Sequence, residues 1–414
     1  MNAREAESLL LDLELFGMRF GLDRMFKLTT ALGMPQRAFA SIHVVGTNGK
    51  SSTTRFTAAI LEREGLRTGS FTSPHLRGFA ERIEVGERPL PEPEFAAAVA
   101  RAWRAAELVN RTLPEGDRIT QFELLTAAAY SELARREVDV AVIEAGLGGR
   151  YDATSVIPSR VQVLTSVGLD HTRWLGPTLR DVAEEKLAVV RDHGLLVLPA
   201  TLPPEAEEVA ARVAAERHAT VVRAAPATDA ALGARGAFQR PNFALAEAAA
   251  GAFLGRAPAP EALRAAAAET VVPGRMEVVA QKPMTIFDGA HNAQGAAALA
   301  ASLPEVLEGR PLTLVVSVLD DKDAAAILGA LAPLAERAVF TRCASPRALS
   351  PATLESLAAK LGAPVPCEVV GDPRDALARA RRLAGPDGAV LATGSIYLIA
   401  DLVRDPAASR ASVI

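Results

Sequence analysis

The chain has 414 residues, of which 49% are apolar and 23% charged, and its formal net charge is −4. This length is enough for two domains with separate cores, and the lack of a basic block argues against nucleic acid as a partner. Two cysteines in so long a chain are typical of a reducing compartment, and no apolar run is long enough to span a bilayer, so a cytoplasmic protein without a membrane partner is expected.

Short apolar, β-branched runs alternate with alanine-rich segments of helical length in the first part of the chain. We predict strands at Ser41–Val45, Thr68–Phe71, Val138–Glu144, Val161–Val167 and Gly194–Leu198. Because helices separate the strands, the pattern predicts a mostly parallel sheet that is covered on both faces.

The first predicted strand runs into a glycine-punctuated turn that carries a lysine and two hydroxyls. The turn consists of Gly46, Thr47, Asn48, Gly49, Lys50, Ser51 and Ser52. Close backbone N–H groups, a following helix N-terminus and a lysine together suit the phosphates of a nucleotide, and the hydroxyls suit a bound Mg²⁺. Val44 stands where the general phosphate-loop pattern requires glycine, so a plain turn between strand and helix is the alternative interpretation.

Acidic and imidazole side chains follow two later strands. Glu144 ends one strand, and Asp170 and His171 come shortly after the next. In parallel sheets such positions share the edge where ligands bind, so Glu144 is a candidate Mg²⁺ ligand, with a solvated turn carboxylate as the alternative. The nearby Gly146 and Gly148 lack the third glycine of a dinucleotide fingerprint, and neither NAD nor haem is expected.

A second set of strands follows, at Met284–Phe287, Thr313–Val318, Ala338–Thr341, Cys367–Val370 and Gly388–Ala392. It predicts a second α/β domain, and we divide the chain into domains at 1–272 and 283–414 with a linker at 273–282. The first strand of this set is followed by an acid, an imidazole and an amide, namely Asp288, His291 and Asn292. The second sheet therefore also presents chemically useful groups at one edge.

Several further strings occur in a fixed order along the chain. They are Phe20-Gly21-Leu22-Asp23-Arg24-Met25, Thr72-Ser73-Pro74-His75-Leu76, Thr120-Gln121-Phe122-Glu123, Leu169-Asp170-His171, Glu185-Lys186, Pro273-Gly274-Arg275, Asp321-Lys322-Asp323 and Thr393-Gly394-Ser395. Together with the phosphate loop, they resemble the folylpolyglutamate synthase and dihydrofolate synthase family of the Mur ligase superfamily. The resemblance implies an N-terminal ATPase-like domain of mostly parallel sheet that carries a folate or pterin site, and a smaller Rossmann-like C-terminal glutamate ligase domain.

The resemblance also implies roles for individual residues. It assigns ATP binding to residues 46–52 and to Asn242, Arg275 and Asp288. It assigns Mg²⁺, as one or two ions, to Ser73, Glu144 and His171. It assigns the pterin to Met18, Arg19, Phe20, Thr120, Gln121, Phe122, Glu123, Tyr151, Asp152 and Ala153, and the incoming glutamate to His291 and Ser395. Without the family, a core aromatic is an equally good interpretation of Phe122.

Lys186 matches the lysine that is carbamylated in this superfamily. A desolvated lysine loses its proton readily, and its neutral amine can take up CO₂ to form an anionic carbamate that helps to hold a second Mg²⁺. On the residues alone, a surface lysine paired with Glu185 or Asp181 is the simpler interpretation. The family usually has Ala-Gly where Leu187 and Ala188 follow this lysine.

The resemblance implies an ATP-dependent amide ligase that adds L-glutamate to dihydropteroate, to reduced folates or to both, through an acyl phosphate. The enzyme is expected to be a monomer that uses only small-molecule substrates. Lys50, Lys186 and His291 are the residues expected to serve the chemistry. Another Mur-type ligase that acts on a cell-wall precursor, a nucleotide-dependent switch and a non-catalytic binding protein are the alternatives.

Overall fold

The computed structural model describes residues 1–14, 21–362 and 365–404, and the chain divides into two compact units. Unit 1 comprises Met1–Ala231 and Pro241–Thr270, apart from the residues not described, and unit 2 comprises Leu232–Arg240 and the described chain from Val271. Residues 273–282, predicted as a linker, lie in unit 2, and Glu277–Gln281 forms a strand of its sheet.

Unit 1 is built on an eight-stranded sheet with the order β4-β3-β2-β5-β1-β6-β7-β8. The strands are β1 (Ala40–Val45), β2 (Thr68–Phe71), β3 (Ile83–Val85), β4 (Arg88–Pro89), β5 (Val140–Glu144), β6 (Val161–Leu164), β7 (Leu195–Leu198) and β8 (Thr220–Arg223). All neighbours are parallel except the β2–β3 and β3–β4 pairs. The mostly parallel sheet predicted for this part of the chain is confirmed.

Ten helices accompany this sheet in the described part of the chain up to Thr270. They are α1 (Ala3–Glu14), α2 (Asp23–Ala31), α3 (Lys50–Arg63), α4 (Glu92–Asn110), α5 (Gln121–Arg135), α6 (Thr172–Leu175), α7 (Leu179–Leu187), α8 (Pro204–Glu216), α9 (Gln239–Leu254) and α10 (Pro260–Glu269). Short 3₁₀ helices lie at Pro35–Arg37, Phe79–Arg82 and Ala153–Val156. Two of the alanine-rich segments, residues 244–252 and 265–268, lie in α9 and α10, as expected from the high helix propensity of alanine.

Unit 2 has a six-stranded sheet with the order β13-β12-β11-β14-β10-β9, in which only β9 is antiparallel. Its strands are β9 (Glu277–Gln281), β10 (Met284–Phe287), β11 (Leu312–Val316), β12 (Arg337–Phe340), β13 (Cys367–Val369) and β14 (Ala389–Thr393). Its helices are α11 (Ala293–Leu307), α12 (Ala324–Leu331), α13 (Pro351–Lys360), α14 (Pro373–Ala384) and α15 (Ile396–Val403), with a 3₁₀ turn at Ala332–Leu334. The predicted second α/β domain is confirmed.

The differences from the predicted strands have local causes. Strands β3, β4, β8 and β9 were not predicted, because they are short or half-exposed and therefore lack a continuous apolar run. Strand β6 ends at Leu164 instead of Val167, because the next residues turn to bond the phosphate loop. Within the described ranges no helix combines the length and apolarity that a membrane span requires.

Strand β1 lies in the middle of the unit 1 sheet, between β5 and β6. Five of its six residues are buried, and the register pairs Val44 with Glu144 on one side and with Val163 on the other. Because the three strands are parallel, their carboxyl ends lie side by side. This arrangement brings the phosphate loop, Glu144 and the segment after Leu164 to one edge of the sheet.

Candidate active site

The phosphate loop, residues 46–52, joins β1 to α3. Gly49 has a left-handed φ of 84° and is the N-cap of α3, which begins at Lys50. The Nζ atom of Lys50 donates to the carbonyl oxygens of Gly46 (3.1 Å) and Thr47 (3.3 Å). The loop thus combines the backbone amides of a helix N-terminus with a lysine ammonium, which is the chemistry that anionic phosphate requires.

A polar segment after β6 holds this loop in place. The Thr165 hydroxyl donates to the Asn48 carbonyl at 2.6 Å, and the Asn48 amide donates to Ser166 Oγ at 2.9 Å. The Thr47 hydroxyl donates to the Gly168 carbonyl at 3.1 Å. Thr165 and Ser166 were not predicted as site residues, although two hydroxyls near the end of a core strand are a signal that could have identified them.

Lys186 lies under the phosphate loop and not on the surface. It is on α7, its side chain is buried, and its Nζ donates to the Gly46 carbonyl at 2.9 Å. Burial, and next the positive charge of Lys50, lower the pKa of Lys186 to about 7. The surface interpretation of Lys186 is therefore wrong: near neutral pH a substantial fraction of this amine is neutral and nucleophilic.

Glu144 is the buried carboxylate of the site. Its side chain lies at the end of β5 and the residue is 1% exposed, which excludes the interpretation as a solvated turn carboxylate. The Ser51 hydroxyl donates to Oε1 at 3.0 Å and the Ser73 amide donates to Oε2 at 3.1 Å. The Glu144 carboxylate and the Ser51 hydroxyl are hard oxygen groups, so this pair fits Mg²⁺ beside a bound nucleotide.

His171 lies in the segment that follows β6, immediately before the short helix α6. Its φ is 50°, and its Nε2 atom lies 3.9 Å from Asp170 Oδ1. Asp170 is buried, and one of its oxygens accepts the His171 amide at 2.8 Å. Within residues 1–14, 21–362 and 365–404, no group of three or more His, Cys, Asp or Glu is placed for a metal ion, so any ion here would also rely on hydroxyl, phosphate or water oxygen.

Asn242 approaches the phosphate loop from α9. A Cβ atom built on Gly49 would lie 2.5 Å from Asn242 Oδ1, so the amide side chain packs directly against the loop. The structure thus brings Asn242, which is distant in sequence, to the predicted nucleotide site.

Gly49→Ala is expected to lower nucleotide affinity by at least about tenfold, because the added methyl meets Asn242 and the left-handed backbone itself costs about 1–2 kcal/mol. Gly65→Ala is the matched control, since Gly65 has a similar φ of 88° but nothing within 4 Å of its added Cβ. Calorimetric titration with ADP should separate the two variants. If Gly49→Ala and Gly65→Ala bound ADP with equal affinity, the prediction that contact with Asn242 lowers nucleotide affinity would be wrong.

The polar side chains of Thr120, Gln121 and Glu123 form hydrogen bonds with other residues of unit 1. The Thr120 hydroxyl accepts the Glu123 amide (3.3 Å) and the Glu123 carboxylate accepts the Thr120 amide (2.8 Å), which forms a capping box on α5. Arg24 Nε donates to both Glu123 oxygens at 3.0 and 3.1 Å, and Gln121 Nε2 donates to the Leu10 carbonyl at 2.7 Å. These contacts fix the start of α5 and thereby the position of Phe122.

Phe122 faces the loop that follows β5. A Cβ atom on Gly146 would lie 2.7 Å from Phe122 Cζ, and the ring centroid lies 6.0 Å from that of Phe71. Tyr151 in the same loop is 48% exposed, whereas Asp152 and Ala153 are buried. The structure brings Phe122 and this loop together, while Met18, Arg19 and Phe20 lie outside the described residues.

In unit 2 the predicted residues cluster after β10 and β14. Asp288 is buried, and its two oxygens accept the amides of Met276 (2.8 Å) and Ala290 (2.7 Å). Burial raises the pKa of Asp288, and the nearby Arg275 opposes this increase. His291 Nδ1 donates to the Gly289 carbonyl at 2.9 Å, so Nε2 of the neutral ring is an acceptor.

The neighbouring amide and hydroxyl cap helices. Asn292 Oδ1 accepts the Gly295 amide at 2.8 Å at the start of α11, and Ser395 Oγ accepts the Tyr397 amide at 3.2 Å at the start of α15. Both residues are buried. Two helix N-termini at this sheet edge are suited to a carboxylate ligand.

Two family models match the chain. The Mur ligase middle domain matches residues 44–234, and the Mur ligase glutamate ligase domain matches residues 274–396. Together these matches cover most of the chain.

Curated relatives match over most of their length. The dihydrofolate synthase/folylpolyglutamate synthase of Bacillus subtilis is 33% identical over 94% of this chain and 95% of its own length. The Escherichia coli protein of the same name is 31% identical over 93% of this chain and 90% of its own length. The folylpolyglutamate synthase of Lacticaseibacillus casei is 32% identical over 91% of this chain and 92% of its own length.

Solved structures agree with the sequence matches. Mycobacterium tuberculosis folylpolyglutamate synthase complexed with ADP and AMPPCP superposes with a TM-score of 0.90 at 32% identity, covering 98% of this chain and all of that chain. E. coli FolC in complex with DHPP and ADP superposes with a TM-score of 0.85 at 29% identity, covering 97% and 98%.

Proposed function

The chain belongs to the dihydrofolate synthase and folylpolyglutamate synthase family of Mur ligases, and on that premise we propose that it joins L-glutamate to dihydropteroate and to reduced folates. It is an ATP-dependent ligase that uses a divalent metal. The observation that carries the proposal is the convergence of Lys50, Lys186 and the buried Glu144 around residues 46–52.

The phosphate loop holds ATP in this proposal. The α3 N-terminus and Lys50 meet the phosphates, and Asn242, Arg275 and Asp288 are assigned as further nucleotide-binding residues. Ser73, Glu144 and His171 would hold one or two Mg²⁺ ions, which would screen the negative charge of the γ-phosphate and the substrate carboxylate. Thr165 and Ser166 hold the loop in its curled form through Asn48.

The reaction has two displacement steps. An oxygen of the substrate carboxylate attacks the γ-phosphorus, the bond to the β-phosphate oxygen breaks, and ADP leaves with the electron pair. The amino nitrogen of glutamate then attacks the acyl carbon of the acyl phosphate, inorganic phosphate leaves, and the amine loses a proton. Because two anions must meet in the first step, Lys50 contributes by electrostatic stabilisation and positioning.

Lys186 is proposed to carry a carbamate. Its neutral amine nitrogen attacks the carbon of CO₂, a C–N bond forms as the electron pair of one C=O π bond moves to oxygen, and one amine proton is released to water. The carbamate nitrogen keeps one hydrogen, which can still be donated to the Gly46 carbonyl. An anion at this position would also replace the repulsion between the Lys50 and Lys186 ammonium groups with attraction.

The groups of unit 2 suit the incoming glutamate. We assign its positioning to His291, whose Nε2 atom can accept a hydrogen from the amino group, and to Ser395 at the start of α15. The 283–414 region is accordingly proposed as the glutamate ligase domain, and the 1–272 region as the ATP and folate domain. The chain is proposed to act as a cytoplasmic monomer on small molecules alone.

The decisive experiment measures ADP release by the purified protein with ATP, Mg²⁺ and glutamate. We expect dihydropteroate and a reduced folate each to raise turnover well above the background, with a muropeptide precursor as the negative control. Response to only one of the two pterin substrates would make the enzyme monofunctional. Turnover with the muropeptide alone would favour the cell-wall ligase, and ADP release without any acceptor would favour a nucleotide switch.

A further inference from the structure

A row of buried polar groups links the central strand to the loop after β5. His43 is in the middle of β1 and is fully buried, and its Nε2 atom lies 2.8 Å from Thr154 Oγ1. The Thr154 hydroxyl in turn donates to Asp152 Oδ1 at 2.5 Å. His43 of β1, Thr154 of the 3₁₀ helix Ala153–Val156 and Asp152, the N-cap of that helix, therefore form a continuous hydrogen-bonded path.

The protons in this path can be assigned from the geometry. A hydroxyl has one proton, and Thr154 donates it to the carboxylate of Asp152, so the Thr154 oxygen must accept from His43. Burial, and next the charge of Arg191, lower the pKa of His43 to about 3, so the ring is neutral and carries its proton on Nε2. The path thus runs in one direction, from His43 through Thr154 to Asp152.

Asp152 uses its carboxylate to close a loop. Oδ1 also accepts the Thr154 amide at 3.0 Å, and Oδ2 accepts the Leu147 amide at 2.8 Å. Burial raises the pKa of Asp152, and the hydrogen bonds from Thr154, Leu147 and Gly146 counteract this. The carboxylate of Asp152 therefore joins the end of residues 146–152 to their beginning, through the amide of Leu147. We call these residues the 146–152 loop.

A second anchor acts on the same 3₁₀ helix. The hydroxyl of the fully buried Tyr130 donates to the Thr154 carbonyl at 2.9 Å. Thr154 is thus held through both its side chain and its backbone. By contrast, the phosphate loop is held by Thr165, Ser166 and Lys186.

We propose that His43 and Thr154 are positioning residues for the pterin substrate, because through Asp152 they fix the 146–152 loop against Phe122. This inference rests on the proposed function, in which Phe122 and the loop receive the pterin ring. Asp152 then serves by shaping the loop, since its carboxylate is occupied by donors of the chain itself. The ring-binding face is built by Phe122 and the loop backbone.

The test compares Thr154→Val, which removes the hydroxyl with little change in shape, with Thr154→Ser, which keeps it. Thr154→Val is expected to raise the KM for dihydropteroate by about tenfold, because a buried carboxylate loses a donor. The KM for ATP and kcat should stay within about twofold of the wild-type values, since the phosphate loop has separate anchors. Thr154→Ser retains the hydroxyl and His43→Gln retains an N–H donor, so both should keep a KM for dihydropteroate close to that of the wild type. His43→Leu has no donor and should raise this KM.

Thr57→Val is the matched control. The Thr57 hydroxyl is buried and donates to the Thr53 carbonyl at 2.7 Å within α3, so its loss lowers stability without touching the 146–152 loop. We expect an unchanged KM for dihydropteroate in this variant. If Thr154→Val lowers only the melting temperature, or raises the KM for ATP and dihydropteroate equally, the inference is wrong.

Failure of the proposed function is a separate outcome, because the wild type would then show no turnover with any pterin substrate. If Thr154→Val does not fold, Tyr130→Phe tests the inference instead, because it removes only the hydrogen bond from the Tyr130 hydroxyl to the Thr154 carbonyl. It should raise the KM for dihydropteroate about threefold without changing the KM for ATP. An unchanged dihydropteroate KM in Tyr130→Phe would overturn the inference.

Discussion

Lys50→Ala is expected to lower kcat for ATP-dependent ligation by at least about 10³-fold, with every acceptor substrate. The physical reason is that the attacking carboxylate and the γ-phosphate are both anions, and Lys50 is the cation that the phosphate loop itself supplies at the N-terminus of α3. Initial rates of ADP release with saturating ATP and glutamate measure the effect. Lys360→Ala, which removes an exposed lysine at the end of α13, should leave the rate unchanged.

The same substitution has a second expected consequence. The positive charge of Lys50 is one cause of the low pKa of Lys186, so its removal should raise the pKa of Lys186 and reduce the neutral fraction near pH 7. If Lys50→Ala retained more than a tenth of the wild-type kcat, the assignment of residues 46–52 to the phosphates would be wrong.

Lys186→Met is expected to abolish most ligase activity while changing how stability depends on pH. Burial lowers the pKa of Lys186 from 10.5 in the unfolded chain to about 7 in the folded protein. Between these values the unfolded chain binds a proton that the folded protein does not, so the free energy of unfolding rises with pH, by about 1.4 kcal/mol per pH unit. The methionine variant loses this contribution, so its stability advantage over the wild type should be largest below pH 7 and decline above it.

Chemical denaturation between pH 6.5 and 9 in buffer depleted of CO₂ measures the difference. Parallel stability curves for the wild type and Lys186→Met would contradict the buried, low-pKa lysine. Adding bicarbonate then tests the carbamate: a modification confined to the folded state should raise the melting temperature of the wild type but not of the variant. No increase in the wild type would exclude a stable carbamate at Lys186.

Much of the fold could be predicted because the central strands are continuous apolar runs. Strands β2 and β10 begin and end where predicted, and a helix follows the first strand and its glycine-containing turn, as predicted. The predictions failed at the sheet edges, where β8 is mostly exposed and β9 is antiparallel. Edge strands bury little side-chain area, so their sequences carry little periodic signal.

The sequence by itself determined the family, the order of the two α/β units and the phosphate loop, because these depend on residues that are adjacent in the chain. Only the tertiary structure decided the surroundings of those residues. It placed Lys186 under the carbonyl of Gly46, 140 positions away, and closed the path from His43 to Asp152. The physical reason is that burial and hydrogen-bond direction set the charge and orientation of these groups, and both arise only when distant segments pack together.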